Sequence, residues 1–215
     1  QDIAGDLHAA AIALSYSPHP LESHQHPTRN FLSVIHNSVR AGLYYFRQAT
    51  MAENAMHAGL SKNELARFAE DSFIVVDDLF TGDEVETLRQ ACSAPEDHQW
   101  AQSERLIHSL ELTVRHQAFL QLARDPRIVS RLISLIGPDI QLQHSKLAAQ
   151  PVQREKGGFR WHQDFAYFPH TNTDLVAVMV MLDDATEDNG CMHMIRGSHK
   201  LGLLDHISGN GLFSG

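Results

Sequence analysis

A chain of 215 residues, 43% hydrophobic and 20% charged, has the composition of one sizeable globular domain with room for an appendage. A formal net charge of −9 with no basic cluster argues against nucleic acid or an anionic membrane surface as a main partner. The longest apolar run, residues 175–182, is far too short to span a membrane.

No signal-peptide pattern is visible. The two cysteines, Cys92 and Cys191, stand far apart and form no metal or redox motif. Each reads as a small core residue of a protein in a reducing compartment, with the cytoplasm as the expectation. Of the fifteen histidines, those before residue 60 show no regular ligand spacing. Nothing in the sequence sets an oligomeric state.

Residues 1–29 contain Ser-Pro-His-Pro and Ser-His-Gln-His-Pro and read as loop. Phe31, Val34, Ile35, Val39, Leu43 and Phe46 then recur at helical spacing. Residues 1–60 are thus expected to be a loop and helix extension of unknown role. The texture changes at Ser61-Lys62-Asn63-Glu64, a capping box in which serine and glutamate satisfy each other's backbone amides. Residues 73–77 read as a strand, and Thr81-Gly82-Asp83-Glu84 is a second capping box opening a helix to about Cys92. Asp125-Pro126 sets an N-cap and a first helical proline, and Gly137 closes that helix.

From Ile140 onward the pattern is β. Ile140, Leu142, His144, Lys146 and Ala148 share one face of a candidate strand by simple alternation. His144 on that face reads as filling core rather than facing a cleft. Residues 159–164, 175–182 and 191–195 are further candidate strands. A turn-rich connection spans 183–190, and Arg196-Gly197-Ser198-His199 turns the chain again. Helices followed by short strands predict an α+β chain, mainly β with flanking helices, whose sheet is an antiparallel sandwich or jelly roll.

The chemistry gathers in Trp161-His162-Gln163-Asp164-Phe165-Ala166-Tyr167-Phe168-Pro169. On an extended segment His162 and Asp164, two residues apart, project to the same side. Such a pair is two thirds of the 2-His-1-carboxylate set that holds non-haem Fe(II) with open positions. The tripeptide alone is weak, because roughly one chance match is expected in a chain this rich in histidine. The flanks are the specific signal.

That nonapeptide, followed by Asp174-Leu175, Asn189-Gly190-Cys191 and Gly197-Ser198-His199-Lys200, resembles the phytanoyl-CoA dioxygenase family. The resemblance runs over residues 61–213, reaching back through Phe68, residues 73–77 and the helix at 81–92. It implies a double-stranded β-helix (jelly roll) and an Fe(II)- and 2-oxoglutarate-dependent oxygenase. The expected reaction is hydroxylation of an aliphatic carbon in a small organic or acyl substrate, with dioxygen consumed. By the same resemblance His162 and Asp164 are iron ligands, with no catalytic residue expected beyond them. Lys146 and Gln150 are candidates for holding 2-oxoglutarate, a dianion that a lysine would balance; Lys146 reads equally as a snorkelling surface residue. Phe165 and Tyr167 either line the substrate approach or pack the sheet.

The family's third ligand is a histidine far downstream, followed about ten residues later by an arginine that clamps 2-oxoglutarate. Neither has a counterpart here. His193 is not at the family's ligand position, and His199 and His206 sit in turns. About four strands are visible of the eight that a jelly roll needs. The chain opens on Gln1 and closes on Gly215 in a Gly/Ser-rich stretch, so both ends read as cut and the domain, residues 61–215, as incomplete at its C-terminus. The alternative expectation is a truncated, non-catalytic relative without a complete metal site.

Overall fold

The computed structural model describes residues 7–18, 59–92, 100–102, 107–151 and 161–211. Its elements are β1 (Leu7–Pro18), α1 (Lys62–Asp71), α2 (Gly82–Cys92), β2 (Trp100–Gln102), β3 (Ile107–Leu110) and α3 (Leu112–Arg115). There follow α4 (Gln117–Ala123), α5 (Pro126–Ile136), β4 (Ile140–Pro151), α6 (Asp164–Tyr167) and β5 (Val176–Met181). Single 3-10 turns sit at Glu187–Asn189 and Ser198–Leu201. Among the described residues the strands form one sheet in the order β2-β3-β4-β1-β5, every pair antiparallel. This is an α+β arrangement. No helix among the described residues is long and apolar enough to cross a membrane.

The helix punctuation read from the sequence is present. Ser61 caps α1 and closes a full capping box with Glu64. Glu84 accepts from the Thr81 amide at 2.8 Å, and its own amide donates to the Thr81 hydroxyl at 3.3 Å. Asp125 caps α5 ahead of Pro126, and Gly137, with φ 88°, ends it. Arg127 joins the two starts of α2 and α5. Its guanidinium donates to Asp125, to Glu84 and to the Leu79 carbonyl, and lies 4.4 Å from the centre of the Phe80 ring. The hydrogen bond from Arg127, together with those from Thr81, pulls the Glu84 carboxyl down to about 2.

The helices cover one face of the sheet. Leu88, Leu112, Phe119, Leu122, Ile128 and Leu132 from the helices meet Leu147 of β4 and Val180 and Leu182 at β5 in a single core. Val176, Val178 and Val180 point into it by alternation, leaving Ala177 and Met181 exposed on the opposite face. Arg89 fastens α2 to the end of β5, donating to the Leu182 carbonyl at 2.8 Å and pairing with Asp183 at 2.8 Å.

Four expectations are corrected. Residues 7–18, read as loop, are a strand that lies between β4 and β5 and pairs with both; the Ser-Pro-His-Pro segment on which that reading partly rested begins only at the last two residues of the strand. Residues 73–77 are not a strand. Left-handed backbone at Ser72 and Asp78 bends the chain at both ends of the segment, and Val75 is 74% exposed. Residues 191–195 are likewise irregular, with Met192, Met194 and Ile195 exposed. Alternation is a property of one segment, whereas a strand also needs a neighbouring backbone to pair with.

The fourth correction concerns β4. In its pairing with β1, His144 stands opposite Ser15 and Leu142 opposite Tyr16, so Gln143 is an extra residue, a β-bulge. Alternation therefore changes phase within the strand. Ile140 and Leu142, before the bulge, pack on the helical core together with Leu147 after it. Ser145 is also buried on that side, its hydroxyl accepting from the Thr113 amide at 3.1 Å. His144, Lys146 and Ala148 are turned to the other face, so the five residues from Ile140 to Ala148 do not share one side. The helix expected over 30–58 lies outside the described residues, as do Phe159 and Arg160 of the expected strand at 159–164.

Candidate metal centre

His162 and Gln163 are not part of a strand; the chain runs extended through Gln163 (φ −111°, ψ 126°) and enters α6 at Asp164. One extended residue between them is enough to put both side chains on one side. His162 Nε2 lies 3.4 Å from Asp164 Oδ1, with the side chains 29% and 50% exposed. The pair is thus brought together as expected, on a different local structure from the one expected.

Two groups on β4 act on the pair through their charge. The Asp164 carboxyl is held below its usual range, first by the hydrogen bond from His162, then by the positive charges of Lys146, His162 and His144, with burial opposing. The His144 imidazole is pushed down by burial and by Lys146, against the pull of Asp164. Lys146 and His144 are thereby electrostatic neighbours of the pair, and His144, read as core, faces the site. The bulge at Gln143 is the physical reason. Gln150 lies on the same strand, paired with Ala9.

Aromatic rings frame the pair. Tyr167, near the end of α6, stands edge-on to the His162 ring at 5.4 Å between centroids and 80° between planes. Phe168, just past α6, tilts against the His144 ring at 4.5 Å. Tyr167 is 46% exposed and Phe165 half-buried. A helix, rather than the expected strand, sets their directions, so Phe165 and Tyr167 do not share a face by alternation.

Behind the pair runs a segment for which the sequence offered no signal. The Gln163 side chain donates to the Gly202 carbonyl at 2.8 Å and accepts from the Leu204 amide at 2.7 Å. The Gln163 amide donates to His206 Nε2 at 2.9 Å, and His206 Nδ1 lies 2.8 Å from the Leu204 carbonyl. The turn before this segment is docked on the end of α1. There Gly197 donates to the Asp71 carbonyl at 3.1 Å, and His199 Nε2 lies 3.0 Å from the Ala69 carbonyl. His199 is structural, as its turn suggested. His193 is exposed beside Trp161, and its Nε2 lies 3.9 Å from Cys191 Sγ. Cys92 packs against the core, as read; Cys191 is half-buried.

Among the described residues no three His, Cys, Asp or Glu side chains converge as a metal site. The pair fits a metal by donor chemistry: one imidazole nitrogen and one carboxylate oxygen, side by side and open to solvent.

Comparison with known proteins agrees with this chemistry. Residues 68–207 match the family model described as phytanoyl-CoA dioxygenase (PhyH). A probable alpha-ketoglutarate-dependent hypophosphite dioxygenase of Stutzerimonas stutzeri is 39% identical over 85 residues, 40% of this chain and 29% of that protein. An ectoine dioxygenase of Streptomyces coelicolor is 27% identical over 66% of this chain and 52% of its own length. The human peroxisomal phytanoyl-CoA dioxygenase is 28% identical over 50% of this chain and 33% of its own length. The chain thus spans about half, or less, of the length of these curated relatives. No solved structure is a significant match.

Proposed function

The chain belongs to the phytanoyl-CoA dioxygenase family, and on that premise we propose that the whole protein is an Fe(II)- and 2-oxoglutarate-dependent dioxygenase. It hydroxylates an aliphatic carbon of a small organic or acyl substrate. The observation that carries this reading is the convergence of His162 Nε2 and Asp164 Oδ1 on one open side of the chain. Similarity to proteins named for hypophosphite, ectoine and phytanoyl-CoA supports the reaction class and leaves the substrate open.

In this reading His162 and Asp164 hold the iron, and further ligands come from outside the described residues. Bound there, Fe(II) with 2-oxoglutarate and dioxygen supplies the oxidising power that no side chain has. The chain's own residues prepare the site. The lowered Asp164 carboxyl stays ionised and available as a donor. Burial and Lys146 keep His144 disposed to be neutral, so that it adds little repulsion toward a cation. Lys146 supplies positive charge for the 2-oxoglutarate dianion, with Gln150 further along the same strand. Tyr167 restrains the His162 ring, and Phe165 and Tyr167 line the approach of an apolar substrate. Residues 61–215 belong to a jelly-roll catalytic domain, to which the segment 1–60 lends a strand, in a protein of the cytoplasm or another reducing compartment.

The test is Fe(II)-dependent conversion of 2-oxoglutarate to succinate by the whole protein, with Asp164→Ala and His162→Ala as partners. Loss of turnover in both variants supports the assignment. Unchanged turnover in either one overturns it.

A further inference from the structure

We propose that His206 is a positioning residue that holds the His162-Gln163-Asp164 segment in the one backbone geometry where its two donors meet. The proposal rests on the metal-site reading above and deepens it. It concerns a residue that acts through the Gln163 backbone amide.

Asp164 begins a helix, and Gln163 before it is extended. The competing local structure is a helix one or two residues longer at its start. In a helix, residues two apart point about 200° away from each other, because each residue turns the chain by about 100°. Drawing Gln163 into α6 would therefore separate the imidazole from the carboxylate. The extended state of Gln163 is the condition for the 3.4 Å approach of His162 to Asp164.

Four hydrogen bonds hold that state. His206 Nε2 accepts the Gln163 amide, so its Nδ1 carries the proton and donates to the Leu204 carbonyl. The Gln163 amide of oxygen and nitrogen bridges Leu204 and Gly202. His206 is 9% exposed, the one histidine among the buried polar residues described. The turn preceding it is fastened to α1, where residues 196–199 meet Asp71 and Ala69. The support thus runs from α1 through the Gly197-Ser198-His199 turn to His206 and on to the residue between the two donors.

The test uses Co(II) as the metal probe on the whole protein, read by its visible absorption, alongside amide exchange of Gln163 by NMR. His206→Leu keeps apolar bulk but removes the acceptor. His206→Gln restores an acceptor and a donor at similar reach. His206→Leu is expected to weaken Co(II) binding about three- to tenfold, the worth of one neutral hydrogen bond. It should also speed exchange at the Gln163 amide, while lowering the melting temperature by only a few degrees and leaving the unfolding cooperative. His206→Gln should recover both. Co(II) affinity unchanged in His206→Leu, or a loss that His206→Gln does not repair, overturns the proposal.

If His206→Leu fails to fold, Gln163→Ala takes its place. It retains the amide contact to His206 and loses only the side-chain bridge, so a smaller weakening is expected and none would count against the clamp. A wild-type whole protein that binds no Co(II) defeats the metal reading instead. The exchange data then decide the clamp by themselves: slow exchange in wild type and His206→Gln but fast in His206→Leu upholds it, and equal rates overturn it.

Discussion

The two faces of the sheet obey different rules. On the helical face Phe119, Leu112, Leu132, Leu147 and Leu182 are almost wholly removed from water. On the other face Ala177 and Met181 are exposed and His144 and Lys146 half-buried, near a carboxylate that is 50% exposed. One face is closed by packing and the other is open to solvent. Strand β4 serves both, and a single bulge residue, Gln143, decides which of its side chains goes where. In the proposed reading stability and function lie on opposite sides of the same backbone, so substitutions on the two sides should separate cleanly.

Deleting Gln143 should break that separation most severely. Restoring strict alternation would turn either Ile140 and Leu142 or Leu147 and Ala149 away from the core. Each large apolar side chain so exposed costs about 1.5–3 kcal/mol, which together approaches the whole stability of an ordinary domain. We expect no cooperative unfolding transition by circular dichroism. A deletion variant that melts like wild type would show that the bulge does not set the faces.

Phe119→Ala comes next. Phe119 is fully buried in α4 at the centre of the core, and such truncations cost about 3–5 kcal/mol. Urea denaturation should register that loss while the His162–Asp164 pair keeps its geometry. Asp164→Ala is the converse case. On the open face the stability change should stay within about 0.5 kcal/mol, whereas Co(II) binding should disappear. A large loss of stability in Asp164→Ala would mean that the open face also carries packing.

The smallest effect belongs to the acid limb of stability. Glu84 has its carboxyl lowered to about 2 by Arg127 and the Thr81 cap. A depressed carboxyl contributes stability that is present above the ordinary carboxylate range and lost as pH falls toward 2. Glu84→Gln should therefore be less stable at pH 6 and show a shallower decline between pH 5 and pH 2. Parallel declines in variant and wild type would remove Glu84 from the account.

Legibility in the sequence followed the range of the interactions. The caps of α1, α2 and α5 could be read because they close within three or four residues, between Ser61 and Glu64, Thr81 and Glu84, and Asp125 and Arg127. Strand β5 was legible because its apolar run exceeds what a loop can hide. The candidate site was half legible. His162 and Asp164 converge as expected, since that depends on one extended residue between them. His144 was misjudged because a bulge is invisible to alternation. His206 was set aside as a turn residue, and its contact with Gln163 left no local signal because the two lie 43 residues apart.

The amino-acid sequence by itself determined the helix starts, the apolar strand β5 and the approach of His162 to Asp164, all of which rest on near neighbours, and, through motifs spread along the chain, the family. Only the tertiary structure decided that residues 7–18 complete the sheet between β4 and β5. It also decided that β4 changes face at Gln143 and that a buried histidine stands behind the donors. These depend on which distant backbone supplies a partner for each exposed N–H and C=O, and a local pattern does not encode that choice.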